Sequence, residues 1–164
     1  MNIGITGHQT IPPEALDHVT QEIKACIQRQ IEPVVGFSNL AVGADQLFAR
    51  LVIESGGTLA AIVPSRDYEG TFTTEPDLAA YQALLARAKD VIILDFPGPT
   101  ESAFMAGGDE VARRSDLVIA VWDGVAPPLR ADGSMPHGGT IDAVWNAWSM
   151  GKPVLNVWPR GVKR

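Results

Sequence analysis

The sequence is short of the features that commit a chain to several common classes. It has a single cysteine, Cys26, which excludes an internal disulfide framework and fits a reducing compartment. It has no long apolar run: the longest, Leu117 to Trp122, is far short of the roughly 20 residues a membrane span needs. Positive charge is scarce, with 13 Lys and Arg against 19 Asp and Glu and a net charge of −6. No basic run exists to capture duplex nucleic acid, so that partner is not expected. The same charge counts against a single-stranded DNA site, which relies on a basic groove. The opening residues Met1-Asn2-Ile3-Gly4 carry no basic region before an apolar stretch, unlike a signal peptide. The expectation is a cytoplasmic protein with no membrane partner.

Several motifs are also missing. The chain contains no GxGxxG, P-loop or GxSxG, which disfavours a standard NAD fingerprint, an NTPase and an α/β-hydrolase. His8, His18 and His137 are dispersed, and with one cysteine there is no zinc pattern. Glu14, His18 and Glu22 share a helix face and read as a solvated one, so neither metal nor cofactor is expected. Repeats, low-complexity stretches and linkers are absent, and residues 1–164 are expected to form one domain.

What is present is a globular share of hydrophobic residues, 46%, together with 16 Gly and 12 Pro. Strand-like apolar runs recur at Asn2–Thr6, Pro33–Phe37, Thr58–Val63, Val91–Asp95, Leu117–Trp122 and Pro153–Val157. Several show little polar alternation, as strands covered on both faces do. Between the first two, Leu16, Val19, Ile23, Ile27 and Ile31 step by three or four, the stripe of an amphipathic helix opened by Pro12-Pro13. A second helix starts near Ala44 and stops at Gly56-Gly57. A third begins at Thr74-Glu75-Pro76-Asp77, which has capping-box spacing. A fourth covers about Glu101–Arg114, and a fifth runs from about Gly139 to Met150. Ile141, Val144, Trp145 and Trp148 make an apolar stripe on the fifth, expected to be core, with a dimer interface as the alternative. Strand and helix thus alternate five times and close with a strand. That predicts an α/β fold: a doubly wound, mostly parallel sheet of about six strands with helices on both faces.

Ligands of such sheets bind beyond the carboxyl ends of the strands, so the segments following the strands are the ones to read. After the first strand come Gly7, His8 and Gln9; the glycine permits close approach to a ligand, and the two side chains can bond a base or sugar. After the second come Ser38, Gly43, Ala44 and Asp45. Gly43 and Ala44 at a helix start would offer backbone N–H groups to an anion, while Asp45 suits a ribose hydroxyl, an orienting role toward Ser38, or a simple helix cap. After the fifth come Trp122, Asp123 and Gly124, and then Gly138, Gly139 and Thr140 directly before a helix. Two glycines and a threonine at a helix start make a phosphate cradle, or equally a plain loop capped by Thr140.

The stretches GITGHQ, SNLAVGADQLFA with PSRDYE, SDLVIAVWDG, and GGT followed by an Ala-containing helix and GKPV together resemble the SLOG superfamily. That Rossmann-like group includes the LOG phosphoribohydrolases and the DNA-processing protein DprA, and the likeness runs along nearly the whole chain. It implies a nucleotide or nucleotide-derived ligand held on a Rossmann-like sheet, commonly by a homodimer. The LOG motif PGGxGTxxE uses its Glu to hydrolyse the bond between base and ribose 5′-phosphate. Here the matching stretch ends Thr140-Ile141-Asp142-Ala143, and Ala143 stands where that Glu belongs. Asp142 is one place early, about 100° away around a helix. The resemblance therefore implies binding, with hydrolysis as the alternative and Asp142 and Asp123 as its candidate carboxylates. The LOG arginine ahead of the last motif has a counterpart in Arg113 or Arg114, which the sequence leaves open.

Overall fold

The structure, a computed structural model, describes residues 1–126, 128–134 and 139–164. Its elements follow in the order β1 (Asn2–Gly7), α1 (Pro13–Gln28), β2 (Val35–Ser38), α2 (Ala44–Glu54), β3 (Thr58–Val63), α3 (Glu75–Leu85), β4 (Asp90–Ile93), α4 (Glu101–Arg114), β5 (Leu117–Val121), α5 (Thr140–Ser149) and β6 (Val154–Asn156). A short 3-10 turn, Glu69–Thr71, sits between β3 and α3. The six strands form one sheet in the order β4-β3-β2-β1-β5-β6, with every pairing parallel. This is the expected α/β, doubly wound, Rossmann-like architecture.

The side-chain alternation of each strand divides the core into two layers. Ile3 and Ile5 of β1 and Ile119 and Val121 of β5 pack with Val19 and Ile23 of α1 and Phe48 and Val52 of α2. On the other face, Val111 of α4 meets Phe37, Ala60 and Ile62, while Ala112 meets Val118 and Ala147 of α5. Each fully buried Ile, Val or Phe contributes about 1.5–3 kcal/mol by leaving water. α3 and α4 begin at threonine caps: the hydroxyls of Thr74 and Thr100 accept from the amides of Asp77 and Ala103.

Three expectations need correction. α1 ends at Gln28, so Ile31 lies outside it and is fully exposed; the buried stripe is Ala15, Val19, Ile23, Cys26 and Ile27. β4 is an edge strand covered on one face only, leaving Val91 and Ile93 exposed. The apolar stripe of α5 is not core: Val144 and Ala147 are buried, but Trp145 and Trp148 turn outward at 59% and 49% exposure. They pack edge to face against each other, ring centres 5.4 Å apart. Period alone cannot tell the face against the sheet from an apolar face beside it.

Strand order reverses between β1 and β5, because β2, β3 and β4 extend to one side of β1 and β5 and β6 to the other. Loops on either side of such a switch point part, and they leave a crevice above the carboxyl ends of the strands.

Candidate functional site

A cleft of about 700 Å³ fills that crevice. Its floor comes from the end of β1 and the following loop (Thr6 to Thr10), and its walls from the loops after β2, β3 and β5 and the start of α5. Of the residues expected from the sequence, Gly7, His8, Asp45, Trp122, Gly139, Thr140 and Asp142 line it. Ser38, Gly43, Ala44, Asp123 and Gly124 lie behind the wall or beside it, and Gly138 lies outside the described residues.

His8 is the knot that ties the switch point together. Its amide donates to the Val121 carbonyl at the end of β5 at 3.0 Å, and its carbonyl accepts from Ala44 at the start of α2 at 3.1 Å. Its ring is buried, edge-on to Trp158 at 5.3 Å. Arg164 Nη1 lies 3.1 Å from His8 Nδ1. A guanidinium has no acceptor, so Nδ1 must be the bare nitrogen and Nε2 must carry the proton. Nε2 then donates to Asp123 Oδ1 at 3.0 Å, and the Asp123 amide, 3.1 Å from the same nitrogen, is a close neighbour rather than a donor. Burial is the largest influence on this imidazole and lowers its pKa below the ordinary 6.5, against the pull of Asp123. Burial and the Arg164 contact thus both favour the neutral imidazole, bonded at each ring nitrogen.

Asp123, a candidate carboxylate from the sequence, is the other half of that arrangement. Its side chain is 6% exposed and it also accepts from the Val125 amide at 3.1 Å. Burial works to raise its pKa, but the Val125 amide and the neighbouring His8 and Arg164 outweigh that and hold it below the ordinary carboxylate value.

The loop after β2 is likewise held from within. Ser38 is fully buried; its hydroxyl donates to Asp45 Oδ2 at 3.1 Å and accepts from the Leu40 amide at 2.9 Å. Asp45 Oδ2 also takes the Asn39 amide at 2.9 Å. Burial pushes the Asp45 carboxyl up to about 6, against the loop donors that pull it down. These bonds fold the tight turn in which Leu40 takes a φ of 58°. Of the amides expected to offer an anion cradle at the start of α2, that of Ala44 is taken by the His8 carbonyl, and that of Gln46 by the Ala41 carbonyl. Gly43 serves packing: at φ 86° its missing Cβ would stand 2.3 Å from the Gln9 carbonyl oxygen. Gly7 does the same, since a Cβ there would sit 2.6 Å from that of Ala44.

The start of α5 differs. Gly139 is its N-cap, with no side-chain cap bond, so Thr140 is the first helical residue and not the cap. Asp142, Ala143 and Asn146 follow on the wall of the cleft. Trp122 lines the cleft with its ring nitrogen tied to the Val125 carbonyl at 3.1 Å. Gly124, at φ 80°, makes a turn. Neither Arg113 nor Arg114 reaches the site: both close on Glu110 at the far end of α4.

Sequence reasoning missed part of the cleft. Tyr68, Phe72 and Phe104 form an aromatic wall, with Tyr68 set edge-on to both neighbours. PSRDYE and GTFTT carry no recognisable pocket pattern. Asn39 also lines the cleft; its amide nitrogen donates to the carbonyls of Ile62 and Gly107, and Gly107 leaves room for it. Arg164 is the third omission. Among the described residues, no His, Cys, Asp and Glu cluster could hold a metal, and no helix is long and apolar enough to cross a membrane.

A parallel six-stranded sheet with a cleft over its switch point defines a Rossmann-like ligand-binding fold. Solved structures share it. The DNA processing protein A of Helicobacter pylori, described for its single-stranded DNA binding mode, is 17% identical with a TM-score of 0.68, over 95% of this chain and 64% of that one. The corresponding protein of Streptococcus pneumoniae is 18% identical with a TM-score of 0.65, over 94% of this chain and 49% of that one. The molybdenum cofactor carrier protein of Chlamydomonas reinhardtii is 15% identical with a TM-score of 0.55, over 94% of this chain and 74% of that one. This chain thus spans less than two thirds of either DNA processing protein. No family model matches the sequence, and no curated protein does. At 14–18% identity the likeness is one of fold. It also corrects one expectation. Nucleic acid cannot be struck from the partners on net charge, because a protein of this same fold binds single-stranded DNA.

Proposed function

We propose that residues 1–164 act as one nucleotide-binding domain, holding a nucleotide or nucleotide-derived ligand with its phosphate at the start of α5. The observation that carries this reading is that one cleft holds two kinds of lining. It has a helix start without a side-chain cap, Gly139 and Thr140, whose dipole and amides favour an anion. It also has the rings of Tyr68, Phe72 and Phe104 with Met105, which suit a planar apolar group such as a base. The volume is in the ordinary range for small-molecule sites, roughly 300–1,000 Å³.

Binding is preferred to hydrolysis because the carboxylates are poorly supplied. Departure of a base needs a carboxylate near the anomeric carbon. Asp123 is engaged by His8, and Ala143 occupies the place of the LOG glutamate, with Asp142 beside it in sequence and also lining the cleft. The test is thermal shift and equilibrium dialysis with AMP, ADP-ribose, NAD and cyclic nucleotides. Failure of every phosphorylated nucleoside to bind would sink the reading. Incubation with AMP should leave adenine unreleased; release that disappears in Asp142→Asn would establish the hydrolase instead.

A second reading, single-stranded DNA, is supported by Trp145 and Trp148, two exposed rings on the helix that also walls the cleft. Bases stack on such rings without regard to sequence. A labelled oligonucleotide at low salt should shift if it holds, and Trp145→Ala with Trp148→Ala should abolish the shift.

A further inference from the structure

Among the described residues lining the cleft, the charged side chains are Asp45, Asp142 and Arg164, since His8 is neutral. An anionic ligand entering this cleft therefore meets two carboxyl groups and one cation. That cation arrives from beyond β6. After Asn156 the chain turns back on itself, with Trp158 Nε1 donating to the Val162 carbonyl at 2.8 Å and the Trp158 ring resting against His8. The turn returns Arg164 to the switch point.

Arg164 is held there by one hydrogen bond and one long ion pair. Its Nη1 donates to His8 Nδ1, an uncharged acceptor, at 3.1 Å. Its nearest carboxylate oxygen, Asp123 Oδ2, is 4.0 Å from Nε, and the other Asp123 oxygen already serves His8 and Val125. Neither contact uses Nη2. The side chain is 45% exposed, although the His8 and Asp123 side chains that seat it are 5% and 6% exposed. A guanidinium with a rigid buried seat, an unused edge and an open side is arranged to bind an oxyanion by a two-pronged contact.

We propose that Arg164 is the ligand-gripping cation of the cleft and takes a phosphate of the bound nucleotide, with His8 and Asp123 as its positioning residues. The assignment rests on the nucleotide reading above and adds to it what distinguishes a nucleotide from a nucleoside. The fork geometry matters as well as the charge, because a lysine at this position would present a point charge on a flexible stem.

The experiment is calorimetric titration of the full chain with AMP, adenosine and inorganic phosphate, in the parent protein and in Arg164→Ala and Arg164→Lys. Circular dichroism and a melting curve establish that each variant is folded. The parent protein is expected to bind AMP at least tenfold more tightly than adenosine. Arg164→Ala should lose that preference, weakening AMP at least tenfold and leaving adenosine unchanged, and Arg164→Lys should restore part of it. A general distortion of the cleft would weaken both ligands together and overturn the proposal. So would an Arg164→Ala protein that binds AMP as tightly as the parent. If the parent protein binds phosphate but neither AMP nor adenosine, the nucleotide reading falls and this assignment falls with it. If it binds AMP and only the variant result fails, the nucleotide reading stands and Arg164 alone is withdrawn.

Discussion

Two helices point their N-termini at the same edge of the sheet, and their starts are built in opposite ways. α2 begins at Gly43 in a backbone conformation reserved for glycine, pressed against the carbonyls of His8 and Gln9, with its first turn bonded to the protein itself. α5 begins at Gly139 with ordinary φ of −92°, no side-chain cap and, among the described residues, nothing within 4 Å of where a Cβ would stand. In sequence both read as glycine followed by a small residue before an amphipathic helix. The first is a structural joint. The second lies on the wall of the cleft without a side-chain cap. A glycine at a helix start is thus ambiguous until its neighbours are known.

Substitutions can break that contrast. Gly43→Ala should be the most damaging, at least about 3 kcal/mol, because it adds backbone strain to a Cβ that cannot move away from a carbonyl. Urea unfolding measures it, and a loss below 1 kcal/mol would mean that the α2 joint is softer than described.

Asp45, in the first turn of α2, yields a pH test. Its folded carboxyl at about 6 lies above the ordinary 3.8, so the folded state holds this proton more tightly than the unfolded chain does. The resulting stability is full below about pH 3.8 and is lost as pH rises through about 6, an effect of about 3 kcal/mol. Asp45→Asn should remove that portion of the pH dependence. Parallel stability curves for parent and variant between pH 4 and 7 would refute it.

Ser38→Ala removes the donor to Asp45 and the acceptor of the Leu40 amide, and should cost about 1–3 kcal/mol in the same unfolding assay. No change would show that water replaces the hydroxyl.

Gly139→Asp inverts the logic at α5. A carboxylate at an N-cap is favourable, so stability should rise by a few tenths of a kcal/mol. The same carboxylate competes with a phosphate for the helix start, so AMP affinity should fall more than tenfold. Unchanged affinity would mean that the phosphate sits elsewhere. This smallest effect on stability separates the two helix starts most sharply.

His8 carries a related dependence with the opposite sign. Its pKa is depressed in the folded state, so its contribution to stability is present above about pH 6.5 and is lost as pH falls through the folded value. Protonation of Nδ1 would also set two donors against each other and release Arg164.

Local pattern was enough to reveal the architecture. Apolar runs of strand length, amphipathic helices and the Thr74 cap record which backbone is extended, which is coiled and where a helix starts, because those depend on neighbours within a turn or two. Gly7, His8, Asp45, Trp122, Gly139 and Thr140, all lining the cleft, stood out by position after strands, since a parallel sheet binds at one edge, and Asp142 through the likeness to the LOG motif. The exposure of Trp145 and Trp148 was not legible in this way, because it depends on how far α5 is covered by α4 and the sheet.

The sequence by itself therefore determined an α/β sheet and the edge at which ligands of such sheets bind. Tertiary structure decided which of those edge residues face the cleft. His8 meets Asp123 across 115 positions and Arg164 across 156. Such pairs exist only once the sheet has brought β1, β5 and the segment after β6 together. That closure turned Asp123 and Ser38 inward to hold loops, tied the Ala44 amide to the His8 carbonyl and left the start of α5 without a side-chain cap. The physical reason is that periodicity encodes which face of an element is buried, whereas the partner of a polar group is set by what the chain packs beside it.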